Sequence, residues 1–300
     1  MRKSSSFVQE PIRHFERPGK RVLNLQTAGV PFIPILSQSE GCRTVSGPAV
    51  LHVHPGCIEI VYCRRGVFFF ETPDHDYPFL PETVFTSRDD EPHRLNINPK
   101  GHFVYRVLVE MPKAGKGFPG LSRDESRWLA HSLTALPRHF RVPDESVCLA
   151  FARMFAAWDL KDEAVGRRAF ELRNASYSLL LAVVVAAEKG LDVSVNPRVM
   201  KLVKEMEVNP VGDFRSEVMC RDSGLSLRNF NRAFQLAAGI PPQAYLRACK
   251  IRRAQKLLDG GQSVTDVALE LGFSSSQYFA TVFGMETGMS PTQWRNRNDN

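Results

Sequence analysis

The chain has 300 residues, 43% hydrophobic and 24% charged, with 20 Gly, 20 Pro and a formal net charge of +7. The ordinary apolar content excludes wholesale disorder, and average Gly and Pro usage excludes a collagen-like or low-complexity chain. The length leaves room for about two domains, and the positive excess points to an anionic partner once its location is known.

Met1 to Lys20 is basic and polar without an apolar stretch, so no secretory signal is expected. The longest uninterrupted apolar run, the nine residues from Leu179 to Ala187, is far short of the roughly 20 that span a bilayer. A cytoplasmic chain with no membrane partner is the expectation. The six cysteines include no CxxC pair and are expected as reduced, mostly buried thiols.

After an N-terminal arm (1–21), residues 22–118 carry short apolar runs: Ile58 to Tyr62, Gly66 to Phe70, Thr83 to Phe85 and Phe103 to Val109. Turn segments such as Thr72-Pro73-Asp74 and Asn98-Pro99-Lys100-Gly101 separate them, a pattern that predicts an all-β barrel or sandwich. Pro112 to Gly120, rich in Lys, Gly and Pro, reads as a linker. Residues 119–192 turn helical: Ser122 with Glu125 forms a capping-box pattern, and Val147 to Trp158 and Phe170 to Lys189 are longer helices. The last is apolar on nearly every side, so it either closes the β core or packs on a partner subunit. This region is assigned as a helical connector that dimerises the chain.

From 193 to 300 the sequence repeats itself. Gly224-Leu225-Ser226 matches Gly272-Phe273-Ser274 at an offset of 48, and Phe230, Phe234, Gly239, Pro242 and Tyr245 match Phe279, Phe283, Gly288, Pro291 and Trp294 at 49. Each copy reads as a helix ended by a left-handed Gly, a Ser cap (Ser226, or one of Ser274 to Ser276) and a second helix anchored by two aromatics. The small residues Cys220 and Ala268 precede the glycines by four, where a second helix crosses closely. Helix, Gly turn and capped helix form the helix-turn-helix layout that reads DNA.

The outward face of the first reading helix carries Arg228, Asn231 and Arg232, suited to bidentate pairing with guanine and adenine. From Leu225 to Lys256 there are seven basic residues and no acid, as phosphate neutralisation requires. Ser226, Arg247, Lys250 and Arg252 are the phosphate candidates. The corresponding face of the second copy, Ser276, Gln277, Ala280 and Thr281, is uncharged and is expected to add weaker polar and shape readout. Pro242 to Leu258 reads as one helix of about 17 residues, roughly 25 Å long. It would hold two reading helices near the ~34 Å repeat of DNA.

The segment from Val199 to Arg297 resembles the AraC/XylS family of bacterial transcription regulators. The likeness rests on Ser263 through Ala268-Leu269-Glu270-Leu271-Gly272-Phe273, then Tyr278-Phe279, Phe283, Gly288, Pro291 and Trp294, with Arg252 to Leu258 as the linking helix. Cys220, where the family prefers Ala, and Thr281, where many members carry Arg, depart from it. The resemblance implies sequence-specific promoter binding, regulation of transcription, often through contact with RNA polymerase, and a nucleoid-associated state when bound.

In the β region, His52-Val53-His54, then Glu59 and Gly66, with His93 downstream, resemble the cupin barrel, whose two His, Glu and further His can bind a divalent metal. Alternate strand residues face one side, and imidazoles with a carboxylate suit Fe, Mn, Ni or Zn. Glu82 and Asp89-Asp90-Glu91 stand where the cupin enzymes have a Pro-x-Gly turn. The reading is therefore not an enzyme: no catalytic residue and no cofactor or metal are expected. His52, His54, Glu59, Tyr62, Phe68, His93 and Tyr105, with Phe70, are taken as a pocket for a small effector, a sugar or other metabolite. A metal-dependent cupin enzyme or metal sensor fused to a DNA-binding domain is the alternative. The expected whole is a multidomain α+β chain of cupin-like β-barrel, helical connector and all-α double helix-turn-helix domain, acting as a homodimer on double-stranded DNA.

Overall fold

The computed structural model describes residues 8–9, 14–41, 50–66, 68–73, 76–95, 102–160, 165–191, 196–238 and 240–298. The chain divides into two compact units whose sequence boundary lies between Val193 and Ser194.

The first unit is built on short strands in chain order: β1 (Val8–Gln9), β2 (Phe15–Arg17), β3 (Lys20–Leu23), β4 (Ile35–Glu40), β5 (His52–Val53) and β6 (Cys57–Arg65). Then come β7 (Phe68–Glu71), β8 (Asp76–Phe79), β9 (Thr83–Thr86), β10 (Arg94–Leu95), β11 (Phe103–Glu110) and β12 (His139–Arg141). Seven of them form one sheet in the order β12-β9-β6-β11-β4-β3-β2, and β10-β7-β8 form a second. Both sheets are antiparallel throughout.

Strand β6 is buried over its first seven residues, so both of its faces meet protein. Successive side chains on a strand alternate between faces. Ile58, Ile60 and Tyr62 join the main core with residues of the helices, whereas Val61 and Cys63 join Phe70, Phe79, Phe85 and Val104 toward the smaller sheet. There Phe70 stacks on Phe85 at 3.9 Å. Burial pushes the Cys57 thiol up to about 12, which keeps it protonated and unreactive.

Helices α1 (Arg123–Ala135), α2 (Ser146–Trp158) and α3 (Val165–Leu191) cover the other face of the large sheet. The capping box at Ser122 and Glu125 is present as the sequence indicates. Three expectations change. The connector of 119–192 is not a separate helical body, because α1, α2 and α3 share one core with the sheet and β12 pairs with β9. Part of the expected arm enters the large sheet as β2 and the start of β3; the rest of that arm lies mostly outside the described residues. Within Gly166–Lys189 of α3, an 18-residue stretch reaches a mean hydropathy of 1.3, so by length and composition alone the helix could cross a bilayer, contrary to the inference from the nine-residue run. Its Leu172, Leu179, Leu180 and Val183 instead close the sheet core, the first of the two fates its all-round apolar surface allowed.

The second unit contains α4 (Pro197–Val208), α5 (Ser216–Ser223), α6 (Leu227–Ala238), α7 (Pro242–Asp259), α8 (Val264–Glu270), α9 (Ser276–Thr287) and α10 (Pro291–Arg295). Asn196 caps α4, and α7 and α10 each begin with Pro, whose missing N–H costs nothing in the first turn. The 18 residues of α7 span roughly 27 Å. Its first half lays Tyr245 against Phe234, while Ile251, Ala254 and Leu258 join the core of the second copy.

Candidate DNA-reading surface and a buried histidine cluster

The two corners close identically. At Gly224 (φ 71) the amide of Leu225 donates to the Cys220 carbonyl at 3.1 Å and that of Gly224 to Arg221 at 3.2 Å. At Gly272 (φ 67) the amide of Phe273 donates to Ala268 at 3.0 Å and that of Gly272 to Leu269 at 3.0 Å. Both are Schellman closures, in which a left-handed residue lets two amides satisfy the last carbonyls of the helix. Cys220 and Ala268, the small residues four before each Gly, supply the carbonyls of the wider ring. The Ser226 hydroxyl accepts from the Asn229 amide at 3.4 Å, and that of Ser275 from Tyr278 at 3.1 Å. Of the three serines available in the second copy, Ser275 is therefore the cap.

Aromatic pairs then pin the reading helices. Phe230 and Phe234 on α6 and Phe279 and Phe283 on α9 are fully buried, with ring centroids 5.6 and 5.5 Å apart. Each pair is completed by an aromatic from the following helix. Tyr245 donates its hydroxyl to Glu207 of α4, and Trp294 its indole N–H to Asp259 of α7 at 2.8 Å. The two modules are hooked to the preceding long helix by the same device. Gly288 ends α9 in the left-handed region; its counterpart Gly239 lies outside the described residues.

With the aromatics inward, α6 exposes Arg228, Asn229, Asn231, Arg232 and Gln235. Asn229 and Gln235 are absent from the sequence reading; continuing the 228 and 232 periodicity one turn further finds Gln235. On α9, Gln277 and Thr281 are exposed, whereas Ser276 and Ala280 are half-buried. Tyr278 and Met285, also exposed, were missed because aromatic and thioether side chains read as core. The α6 face offers guanidinium and amide groups for base edges, and the α9 face offers neutral polar groups and apolar surface for thymine methyls.

Of the four phosphate candidates, three stand on α7 and Ser226 stands at the start of α6. Arg247 pairs with Glu286 of α9 at 2.8 Å. Lys250 is half-buried with its ammonium 5.5 Å from the Phe273 ring, and desolvation lowers its pKa. Arg252 is half-buried on the same helix, and Ser226 serves as the cap. Arg247 and Lys250 tie α7 to the second copy, so the exposed positive charge of the reading surface concentrates on α6.

In the first unit, strand pairing assembles a second cluster. The backbones of His52 and His93 exchange two hydrogen bonds at 3.1 and 3.0 Å, which sets their rings side by side. His54 follows two residues on, and ring centroids of the three histidines lie 4.8 to 5.3 Å apart. Glu59, 1% exposed, enters from β6. Its Oε2 is 2.8 Å from His93 Nε2, and its Oε1 is 2.7 Å from Arg106 Nε of β11 and 3.7 Å from His54 Nε2. Burial acts to raise the Glu59 carboxyl, but Arg106, His93 and His54 outweigh it and hold the group well below the usual carboxylate range.

Ring tautomers follow from the carbonyls. His52 Nδ1 lies 2.7 Å from the Val50 carbonyl and His93 Nδ1 2.8 Å from that of Glu91, and a carbonyl only accepts. In the neutral rings, Nε2 of each therefore carries the lone pair. One ligand atom from each of His52, His54, Glu59 and His93 lies within 4.8 Å of all the others. Lone pairs facing a carboxylate require a proton or a cation between them. The donor set fits a divalent metal, with Arg106 occupying the other carboxylate oxygen.

Of the expected effector-pocket residues, His52, His54, Glu59 and His93 come together, with Phe70 5.9 Å from His93. Tyr62 and Tyr105 do not join them. Both face the helical layer, where Tyr105 stacks on Phe151 of α2 at 5.0 Å, because they have the opposite strand parity from Glu59 and Arg106. Phe68 stands on β7, and its side chain lies outside the described residues.

Residues 219–297 match a protein-family model described as a helix-turn-helix domain. The HTH-type transcriptional activator RhaR of Escherichia coli (strain K12) is 33% identical over 99 residues, which are 33% of this chain and 35% of RhaR. The chain thus spans about a third of the length of the curated relatives it matches. A probable AraC family transcriptional regulator from Rhodopseudomonas palustris CGA009 is 28% identical, covering 34% of this chain and 96% of its own, with a TM-score of 0.31. ToxT from Vibrio cholerae O395 is 10% identical, covering 87% and 96%, with a TM-score of 0.33. The repeated corners, the family match and the relative at a third identity agree: the chain carries a C-terminal DNA-binding helix-turn-helix domain, similar to that of a transcriptional activator.

Proposed function

We propose that the chain is a sequence-specific regulator of bacterial transcription that reads two successive major-groove segments with α6 and α9. The carrying observation is the duplicated Gly corner, each copy presenting a helix whose inner face is locked by two buried aromatics. On this reading the protein works in the cytoplasm as a homodimer, contacts RNA polymerase at the promoter, and performs no catalysis. A small metabolite bound by the sheet domain shifts it between states, which requires unequal affinity for the two. Selection of duplexes from a random library by the full chain is expected to yield a defined site. Arg232→Ala should weaken binding to that site roughly 5- to 150-fold and relax one base position, as loss of a bidentate contact worth about 1–3 kcal/mol requires. Equal binding to every duplex, before and after the substitution, overturns base reading by α6.

A second reading concerns the sheet domain, and the convergence of four ligand atoms within 4.8 Å favours it. His52, His54, Glu59 and His93 hold a divalent metal, which makes the regulator a metal-dependent sensor. Bound there, the ion would supply Lewis acidity or an open coordination position for an effector oxygen. Elemental analysis of protein purified with Fe, Mn, Ni or Zn in the medium should find near-stoichiometric metal, lost in His52→Ala/His54→Ala. Wild-type protein free of all four metals would leave the cluster as a proton-bridged polar network.

A further inference from the structure

Pro112 to Gly120 reads as a linker, yet the structure fixes it. The Phe118 side chain is buried, its amide donates to the Ser126 hydroxyl of α1 at 2.8 Å, and the Tyr177 hydroxyl of α3 donates to the Pro119 carbonyl at 2.7 Å. Gly117 lies so close to α1 that a Cβ there would sit 2.9 Å from Ser126 Oγ. Between this pinned loop and α1 opens a cleft of about 770 Å³, within the size range of small-molecule sites.

Four cations line the cleft: Lys113, Lys116, Arg123 and Arg127, and no acidic residue does. The nearby acids are committed or solvated. Glu125 accepts from the Ser122 amide at 2.7 Å in the capping box. Asp124, almost fully exposed, is 3.5 Å from Arg127, a separation and exposure at which an ion pair contributes little. Among the described residues, Lys113, Lys116 and Arg123 have no acidic partner within salt-bridge distance. The α1 amides are partly satisfied by the capping box, so the positive field comes from side chains. Four like charges around one cavity repel each other, and an anion relieves that repulsion. An adjoining recess of about 260 Å³ shares Lys113 and Lys116 and adds Phe32, Met111 and Phe118 as an apolar wall; its one carboxylate, Glu110, accepts from the Gln26 side-chain amide at 3.1 Å.

We propose that this cleft is a binding site for a small organic polyanion, a phosphorylated or polycarboxylated metabolite whose charges meet the four cations and whose body lies on the apolar wall. The site is separate from the His/Glu cluster and independent of the DNA reading, so it stands or falls without either.

Isothermal titration of the full chain at about 50 mM salt, where screening is weak, tests it with pyrophosphate and citrate as probes and acetate as the singly charged control. Pyrophosphate and citrate should bind with a Kd on the order of 0.1 mM and acetate at least roughly tenfold more weakly. Lys113→Ala/Lys116→Ala should reduce the polyanion affinity by about tenfold or more. Both lysines are exposed, so the variant should keep the wild-type circular dichroism spectrum and melting curve. Arg232→Ala, on the other cationic surface, should leave pyrophosphate binding intact. Polyanion affinity unchanged in the double variant, or lost as much in Arg232→Ala, overturns the proposal. So does weakened duplex binding by Lys113→Ala/Lys116→Ala, which would make the cleft a contact for nucleic acid instead.

Discussion

Phe283→Ala is expected to destabilise the second helix pair by about 3–5 kcal/mol, the usual range for removing a buried phenyl ring. Phe283 is fully buried between Phe279 and Trp294, at centroid distances of 5.5 and 6.0 Å, within the cluster that also holds Ile251, Ala254 and Leu258 of α7. A cavity there loosens α9, the hook from Trp294 to Asp259 and the C-terminal half of α7 together. Met285, two residues on along the same helix, is 69% exposed, and its change to Ala should stay within about 0.5 kcal/mol. Urea unfolding of the full chain, followed by tryptophan fluorescence, distinguishes the two. Equal effects would mean that α9 presents a different face to its core, and the assignment of its reading face would fall with it.

Glu59→Ala should cost the first unit about 3–5 kcal/mol, because removing one member of a buried ion pair strands the others. Arg106 and His93 lose a carboxylate at 2.7 and 2.8 Å in a site where water has little access. For comparison, Glu40 faces Arg65 at 3.4 Å with both side chains about half exposed or more, and Glu40→Ala should cost about 1 kcal/mol or less. The melting temperature of the first unit should fall on the order of 10 °C for Glu59→Ala and far less for Glu40→Ala. Adding Arg106→Leu should restore part of the loss, since the stranded guanidinium is removed. If Glu59→Ala melts like Glu40→Ala, the carboxylate is solvated and the cluster is not a charge network.

The C-terminal reading surface was legible because its determinants are local. Gly224 and Gly272 set their own backbone angles, Ser226 caps three residues away, and Phe230/Phe234 and Phe279/Phe283 define an inside one turn apart. The sheet domain was legible only where spacing within one strand sufficed, as for His52 and His54. Arg106 meets Glu59 through the register between β11 and β6, 47 positions apart in sequence, and no local pattern carries that register. Tyr62 was misplaced for a simpler reason. It stands three residues from Glu59 on a single strand, and an odd separation sends two side chains to opposite faces. The basic run on α7 pointed to phosphates through its sign alone; Glu286, the partner of Arg247, lies beyond the window in which that run contains no acid.

One continuous helix, α7, belongs to both copies, and that sharing limits how the binding site on DNA can change. Each residue added to it would turn the second copy by roughly 100° and advance it about 1.5 Å, so a single insertion moves α9 off the groove that α6 addresses. Half-site spacing is thereby locked in phase with the duplex repeat. New target sequences remain open to this scaffold through substitutions on the exposed faces of α6 and α9, whereas new spacings demand a jump of nearly a whole helical turn.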